Sequence, residues 1–226
     1  MTIIGIIGIA LALTASAAPA AAAGYPEPSD SVWALVDAAA ETDDEGRKKQ
    51  ILLEAEALAR TDLSGHEDDV ERRYTLAVVL GLRANIEGGQ TRVRAASALS
   101  AELEAILALD PDHPGARHML GRLHAGVRRM NRITRWVATN LLGGDELKKA
   151  TWEAAEENLL FAETNDPEVS DHHLQLALLY RDTGRPGLAA QEVGHVMQMQ
   201  ASTAMELAVQ REATEVWSAL QSESLK

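Results

Sequence analysis

Seven histidines and no cysteine set the limits on what chemistry this chain can do. Without cysteine there are no disulfides, thiolate metal sites, cysteine nucleophiles or lipidated lipoprotein cysteine. His172-His173 follow Asp171 at the start of a helical stretch. Side-chain neighbours in sequence point to different faces, so the pair reads as cap and surface. His118 and His124 are six residues apart and do not share a face as residues i and i+4 would. A His-Glu-x-x-His zinc motif is absent. His113 belongs to a turn, and His66-Glu67-Asp68-Asp69 reads as an acidic helix start rather than a ligand cluster. The adjacent carboxylates Glu156 and Glu157 carry no mark of burial that would shift them toward acid–base work. The chain has no nucleophile elbow, phosphate-binding Gly loop or dinucleotide fingerprint. Gly88-Gly89 and Gly143-Gly144 read as helix stops. The expectation is a protein with no catalytic residues, no metal site and no cofactor.

Arginine carries the more specific pattern. Between His113 and Gly144 there is no Asp or Glu, yet the window holds Arg117, Arg122, Arg128, Arg129, Arg132 and Arg135, in a chain of net charge −13. Met130, Ile133, Val137 and Leu141 share one helical stripe, Arg128, Arg132 and Arg135 another, and Trp136 lies near their border. Two readings follow. The stripe packs on neighbouring helices while the arginines pair with carboxylates such as Glu153, Glu156 and Glu157. Alternatively Arg122, Arg128, Arg129, Arg132, Arg135 and Trp136 line a binding site for an anion, since guanidinium forks suit carboxylate and phosphate.

The elements that must position these residues are helices. Ala, Leu and Glu dominate the 226 residues, while β-branched and aromatic residues are scarce. Apolar residues recur at helical spacing in ten segments separated by Gly, Pro and Asp stops. The seventh segment is expected to run unbroken from Glu146 to Asn165. Nothing reads as strand. The acidic net charge excludes a general nucleic-acid binder, because phosphate neutralisation needs clustered Lys and Arg. Met197, Met199 and Met205 read as core and cap packing.

The N-terminus has its own grammar. Ile3 to Leu13 is an apolar run, Ala15 to Ala23 a small-residue tract, and Ala21-Ala22-Ala23 before Gly24 has the form of a cleavage site. A signal peptide over residues 1–23, a spacer over 24–30 and a helical-repeat domain over 31–226 are expected. The mature protein would then act in the periplasm or be secreted, and an uncleaved run would leave it anchored.

The helical segments fall into repeats. A tetratricopeptide unit is a helical pair of about 34 residues, with small residues where helices touch and a Pro near the end. Leu176-Ala177, Tyr180, Gly184 and Ala189 sit at those positions in one unit. In the preceding unit, Leu120-Gly121 opens the pattern and Ala155, Leu159, Ala162 and Pro167 close it. Pro111 to Pro167 exceeds one unit by more than twenty residues, and the excess holds the Arg/Trp helix as an insertion. The predicted fold is all-α, a tetratricopeptide-like solenoid of about four helix pairs with one inserted helix and a C-terminal capping helix.

Gly121-Arg122, then Arg135-Trp136-Val137-Ala138, Leu141-Leu142-Gly143, Thr151-Trp152-Glu153-Ala154-Ala155 and Ala162-Glu163 before Asp166-Pro167 form a recognisable series. It resembles the C-terminal repeat region of the regulator of microtubule dynamics family, over residues 68–226 and most specifically over 114–190. Arg122 and Arg135 match the family pattern. The resemblance implies a scaffold that tethers partners, and phospholipid binding as well. The Cys-free, Ala-rich composition and the signal-like N-terminus are those expected of a bacterial, exported relative. The expected function is therefore a non-enzymatic scaffold for a protein or peptide partner outside the cytoplasm. An anionic-phospholipid carrier using the inserted helix is the alternative.

Overall fold

The computed structural model describes residues 30–202 and 204–224, and among these there are ten α-helices and no strand. The signal and nearly all of the spacer lie outside the described residues. The helices are α1 (Asp30–Glu41), α2 (Glu45–Leu63), α3 (Val70–Ile86), α4 (Gly89–Leu109), α5 (Pro114–Arg129) and α6 (Arg132–Leu141). After a 3₁₀ turn at Glu146–Lys149 come α7 (Trp152–Asn165), α8 (Ser170–Asp182), α9 (Pro186–Gln198) and α10 (Ala204–Ser224).

The helix starts follow from local side-chain chemistry. Asp44, Asp69, Asn131 and Thr151 each accept from the backbone N–H three residues on, satisfying a donor that the helix leaves orphaned. Thr151 also corrects one expectation. The helix read from Glu146 onward is broken, because the 3₁₀ turn ends at Lys149 and α7 restarts behind the Thr151 cap. Gly143, at φ +82°, ends α6 in a left-handed conformation that side-chain-bearing residues avoid.

Packing divides the described residues into two compact units. In the first, consecutive helices α1 to α4 pack as antiparallel neighbours, and α6 and the 3₁₀ turn join them. Leu52, Leu76, Leu80, Leu103 and Ile106 are its large fully buried side chains. Gly144 follows α6 at close quarters: a Cβ there would stand 2.7 Å from the Ala138 carbonyl and 2.9 Å from Val93 of α4. Lys149 reaches Glu104 of α4 at 2.6 Å.

The second unit holds α5 from Arg117 onward and α7 to α10. Its core runs through Leu159, Leu174, Leu176, Leu179, Val193, Val196 and Val216, with Trp152 and Trp217 packed against it. Gly121 lets α5 lie directly on α7, since an added Cβ would meet Leu159 at 2.7 Å and the Ala155 carbonyl at 3.0 Å. The helix pairs are thus α1/α2, α3/α4, α5/α7 and α8/α9, with α10 packed on α8 and α9. The insertion that separates α5 from α7 is α6 with the 3₁₀ turn.

Candidate functional site

The inserted helix α6 is short, and its two faces have opposite surroundings. Ala138 and Thr139 are buried and Arg135 and Leu142 are half-buried, which sets the covered face. On the other side Ile133 is 78% exposed, Trp136 57% and Leu141 61%. These residues stand at positions i, i+3 and i+8, with Val137 at i+4, so they share one stripe along the helix. The stripe read as packing on neighbouring helices therefore faces solvent at both ends. The cause is the register at the turn: with Ala138 set close to Gly144 and Val93, the small side of α6 goes inward and the large apolar side is left outward.

The six candidate residues do not form one site. Arg122 is 3% exposed and donates to Asp171 Oδ2 at 2.7 Å. Arg129 pairs with Asp182 at 2.5 Å. Arg128 is half-buried at the end of α5. Arg135 donates to the Met130 carbonyl at 3.1 Å, at the start of its own helix. Arg132 is exposed, beside Trp136 and Ile133 on the outward side of α6. Arg122 thus takes Asp171 and Arg129 takes Asp182 as carboxylate partner. Glu156 instead takes Arg185, whose guanidinium donates to both of its oxygens at 2.7 and 2.8 Å.

Asp171 anchors a polar cluster in the second unit. Its carboxylate accepts from Arg122, from His118 Nε2 at 2.9 Å and from Gln175 at 3.0 Å. Burial pushes the carboxyl up, but the Arg122 charge and the His118 and Gln175 hydrogen bonds hold it well below the usual carboxylate range. His118 is lowered, first by burial and against the pull of Asp171, so it stays neutral and donates through Nε2. His172 stacks on it with ring centroids 4.5 Å apart. Burial first, and then His118, push His172 down to about 4. The cap-and-surface reading of His172-His173 is therefore corrected, since both are buried. They are drawn in because α8 is covered along nearly its whole length by α7, α9 and α10. Met197 likewise departs from expectation, being half exposed, while the Met205 side chain lies outside what is described.

The Asp171 cluster reads as an internal brace between α5 and α8, although His118 Nδ1 is buried without a hydrogen-bond partner. Its charge is matched by Arg122, and its donors are already engaged. None of its members could be found from local spacing, because Arg122 and His118 stand about fifty positions from Asp171. The outward face of α6 is the candidate for binding. No helix among the described residues is long and apolar enough to cross a membrane.

Antiparallel helix pairs in close contact at Gly121 and Ala155, with small Ala162 buried in the same pair and Ala177 and Ala189 in the next, define a tetratricopeptide-type helical-repeat protein. The chain belongs to the regulator of microtubule dynamics family, whose model, described as Regulator of microtubule dynamics protein 1-3, matches residues 28–221. The match begins forty positions before the resemblance read from the sequence, so α1 and α2 belong to the family domain as well. No curated protein matches the chain. Among solved structures it is similar to a chain in the crystal structure of the APC/C hetero-tetramer Cut9-Hcn1, at 12% identity, over 83% of this chain and 46% of that one. The TM-score is 0.25, and the fold assignment rests on the helix pairs themselves. This chain spans under half the length of that neighbour.

Proposed function

We propose that the chain is a non-catalytic repeat scaffold that holds a protein or peptide partner outside the cytoplasm, through the exposed face of α6. The observation that carries this reading is the stripe of Ile133, Trp136 and Leu141, all more than half exposed on a helix whose other side is packed. Large apolar side chains grouped this way mark an interaction surface. Trp at such a surface contributes more binding energy per residue than most other types. Tetratricopeptide-type folds supply the binding role by analogy of fold, and the site supplies the place. The partner suited to this surface offers apolar side chains with a carboxylate at the edge, because Arg132 borders the stripe and the window around it has no acid.

A second reading is supported by the same helix. An amphipathic segment with Trp, Ile and Leu on one side and Arg at its margin also suits an anionic phospholipid surface. Each Arg near such a surface contributes about 1 kcal/mol. Arg132 alone in a chain of net charge −13 gives little to set against general repulsion. That balance favours the protein partner.

The extracytoplasmic placement rests on Ile3–Leu13 and Ala21-Ala22-Ala23. N-terminal sequencing of protein recovered from its native cells should begin at Gly24; a chain that begins at Met1 and stays in the cytoplasmic fraction would remove this part of the proposal. The binding role is tested with a photo-crosslinking amino acid at position 136, and the same probe at exposed Leu53 of α2 as reference. One discrete protein adduct is expected from position 136, absent from position 53 and abolished by Ile133→Ser. Equal, diffuse crosslinking at both positions would sink the reading.

A further inference from the structure

We propose that His173, Glu192 and His195 form a binding site for a divalent metal ion of the zinc type within the helix pair α8/α9. Glu192 and His195 stand at i and i+3 on α9, so both side chains leave the same face. His173 comes from α8, which packs against it. One ligand atom from each residue falls within 4.8 Å of the other two. His173 Nδ1 lies 2.7 Å and His195 Nδ1 3.4 Å from Glu192 Oε2.

The hydrogen bonding of His173 points to a cation. Its Nε2 lies 3.0 Å from the Pro167 carbonyl oxygen, an acceptor only, so Nε2 carries a hydrogen. Nδ1 then faces the Glu192 oxygen. A bare lone pair there would oppose a carboxylate lone pair at contact distance. Something positive must lie between them, either a second proton or a metal ion. A ring whose outer N–H is held by a backbone carbonyl has its inner nitrogen oriented as in metal-ligating histidines.

Donor chemistry and spacing suit zinc. With metal–ligand bonds of about 2.0–2.2 Å, a tetrahedral set separates its donor atoms by roughly 3.3 Å. The His195 separation from Glu192 Oε2, 3.4 Å, matches that value, whereas the His173 one, 2.7 Å, is a hydrogen-bond distance that would open by about 0.6 Å around an ion. His173 is 6% exposed at its side chain and Glu192 13%, whereas His195 at 44% has room to rotate onto the ion. Two imidazole nitrogens and one carboxylate oxygen favour a borderline cation such as zinc over calcium or magnesium. His195 also lines an open depression of about 530 Å³ with Glu168, Gln198, Met199 and Gln200, so its ring is reached from solvent. The ion would clamp the first turn of α8 to the second half of α9.

The experiment is calorimetric titration of Zn²⁺ into the full chain at neutral pH, with Co²⁺ titrated in parallel to read its visible absorption. One equivalent of Zn²⁺ is expected, with Co²⁺ giving the absorption of a four-coordinate nitrogen and oxygen site. Loss of an outer-shell partner alone lowers metal affinity about 10–100-fold, so His195→Ala should lower it by more than that. His195 is exposed, so the metal-free variant should melt with the native protein. Glu192→Gln should also lose the ion, while His66→Ala, an exposed histidine on the α2–α3 turn, should keep it. No saturable binding of either ion, or equal affinity in the native chain and His195→Ala, would overturn the proposal and leave His173–Glu192 a proton-bridged pair.

Discussion

Asp171 gathers three polar partners because a buried carboxylate is tolerable only when its charge and lone pairs are answered. Arg122 answers the charge, and neutral His118 and Gln175 fill the remaining acceptor sites. His172, whose ring lies against neutral His118, is held at about 4 chiefly by burial, against an ordinary value of 6.5. As pH falls below 6.5 the unfolded chain takes up this proton and the native chain does not, until about pH 4. Native stability is therefore full above 6.5 and declines between 6.5 and 4, by at most roughly 3 kcal/mol from this residue. His118, also lowered, adds to the decline. His173 opposes it, because the Glu192 hydrogen bond raises it, and that stability is present below 6.5 and lost as pH rises through its folded value. Asp171 keeps its contribution above its ordinary value of 3.8 and loses it as pH falls from there through its depressed folded value. Proton NMR should give a His172 midpoint near 4, and urea unfolding of His172→Gln should show a shallower decline across the same interval. A midpoint near 6.5 would mean that the ring is hydrated and the brace is looser than described.

Between helices, glycine position decides how closely backbones approach. Gly121 of α5 sits against Leu159 and the Ala155 carbonyl, so Gly121→Ala adds a methyl where backbone cannot yield. Overpacking costs about 1–3 kcal/mol, whereas Ala in a helix gains only about 1 kcal/mol over Gly. Here the clash wins, with a net loss of up to about 2 kcal/mol expected from urea midpoints at unchanged slope. Gly194, within α9, would place its methyl in open space, and Gly194→Ala should stabilise by about 0.5–1 kcal/mol. Two variants of the same chemistry should thus move in opposite directions. The sequence shows Gly121 as a repeat position because the small residues recur at fixed offsets, and it shows most helix ends because Asp, Asn, Thr, Gly and Pro act locally. The break before α7 was missed because Glu-Leu-Lys-Lys has good helix formers; only the Thr151 cap marks the restart. Periodicity located the two faces of α6 but not which one is covered, since that depends on the approach of Gly144 to α4. The Asp171 cluster and the His173–Glu192 pair join residues distant in sequence, so no local spacing marks them.

Taken over its full length, the chain carries 34 acidic and 21 basic side chains. Two arginines of the 113–144 window are matched on folding, Arg122 by Asp171 and Arg129 by Asp182, while Arg135 donates to a backbone carbonyl and keeps its charge. What the window leaves on the outward side of α6 is an apolar stripe edged by Arg132. Membrane attraction scales with buried apolar area and with the number of cations at the surface. One edge arginine supplies about 1 kcal/mol, and three large side chains on a helix of ten residues cannot offset the repulsion of a strongly anionic body. The chain should therefore stay in the supernatant when sedimented with anionic or neutral vesicles at low salt, and moderate salt, which screens the repulsion, should change this little. Binding to anionic vesicles alone, lost in Arg132→Glu and in Trp136→Ser, would make lipid recognition the function of the inserted helix. Retention in the supernatant, with Trp136 emission unshifted by vesicles, leaves the α6 face to a protein partner.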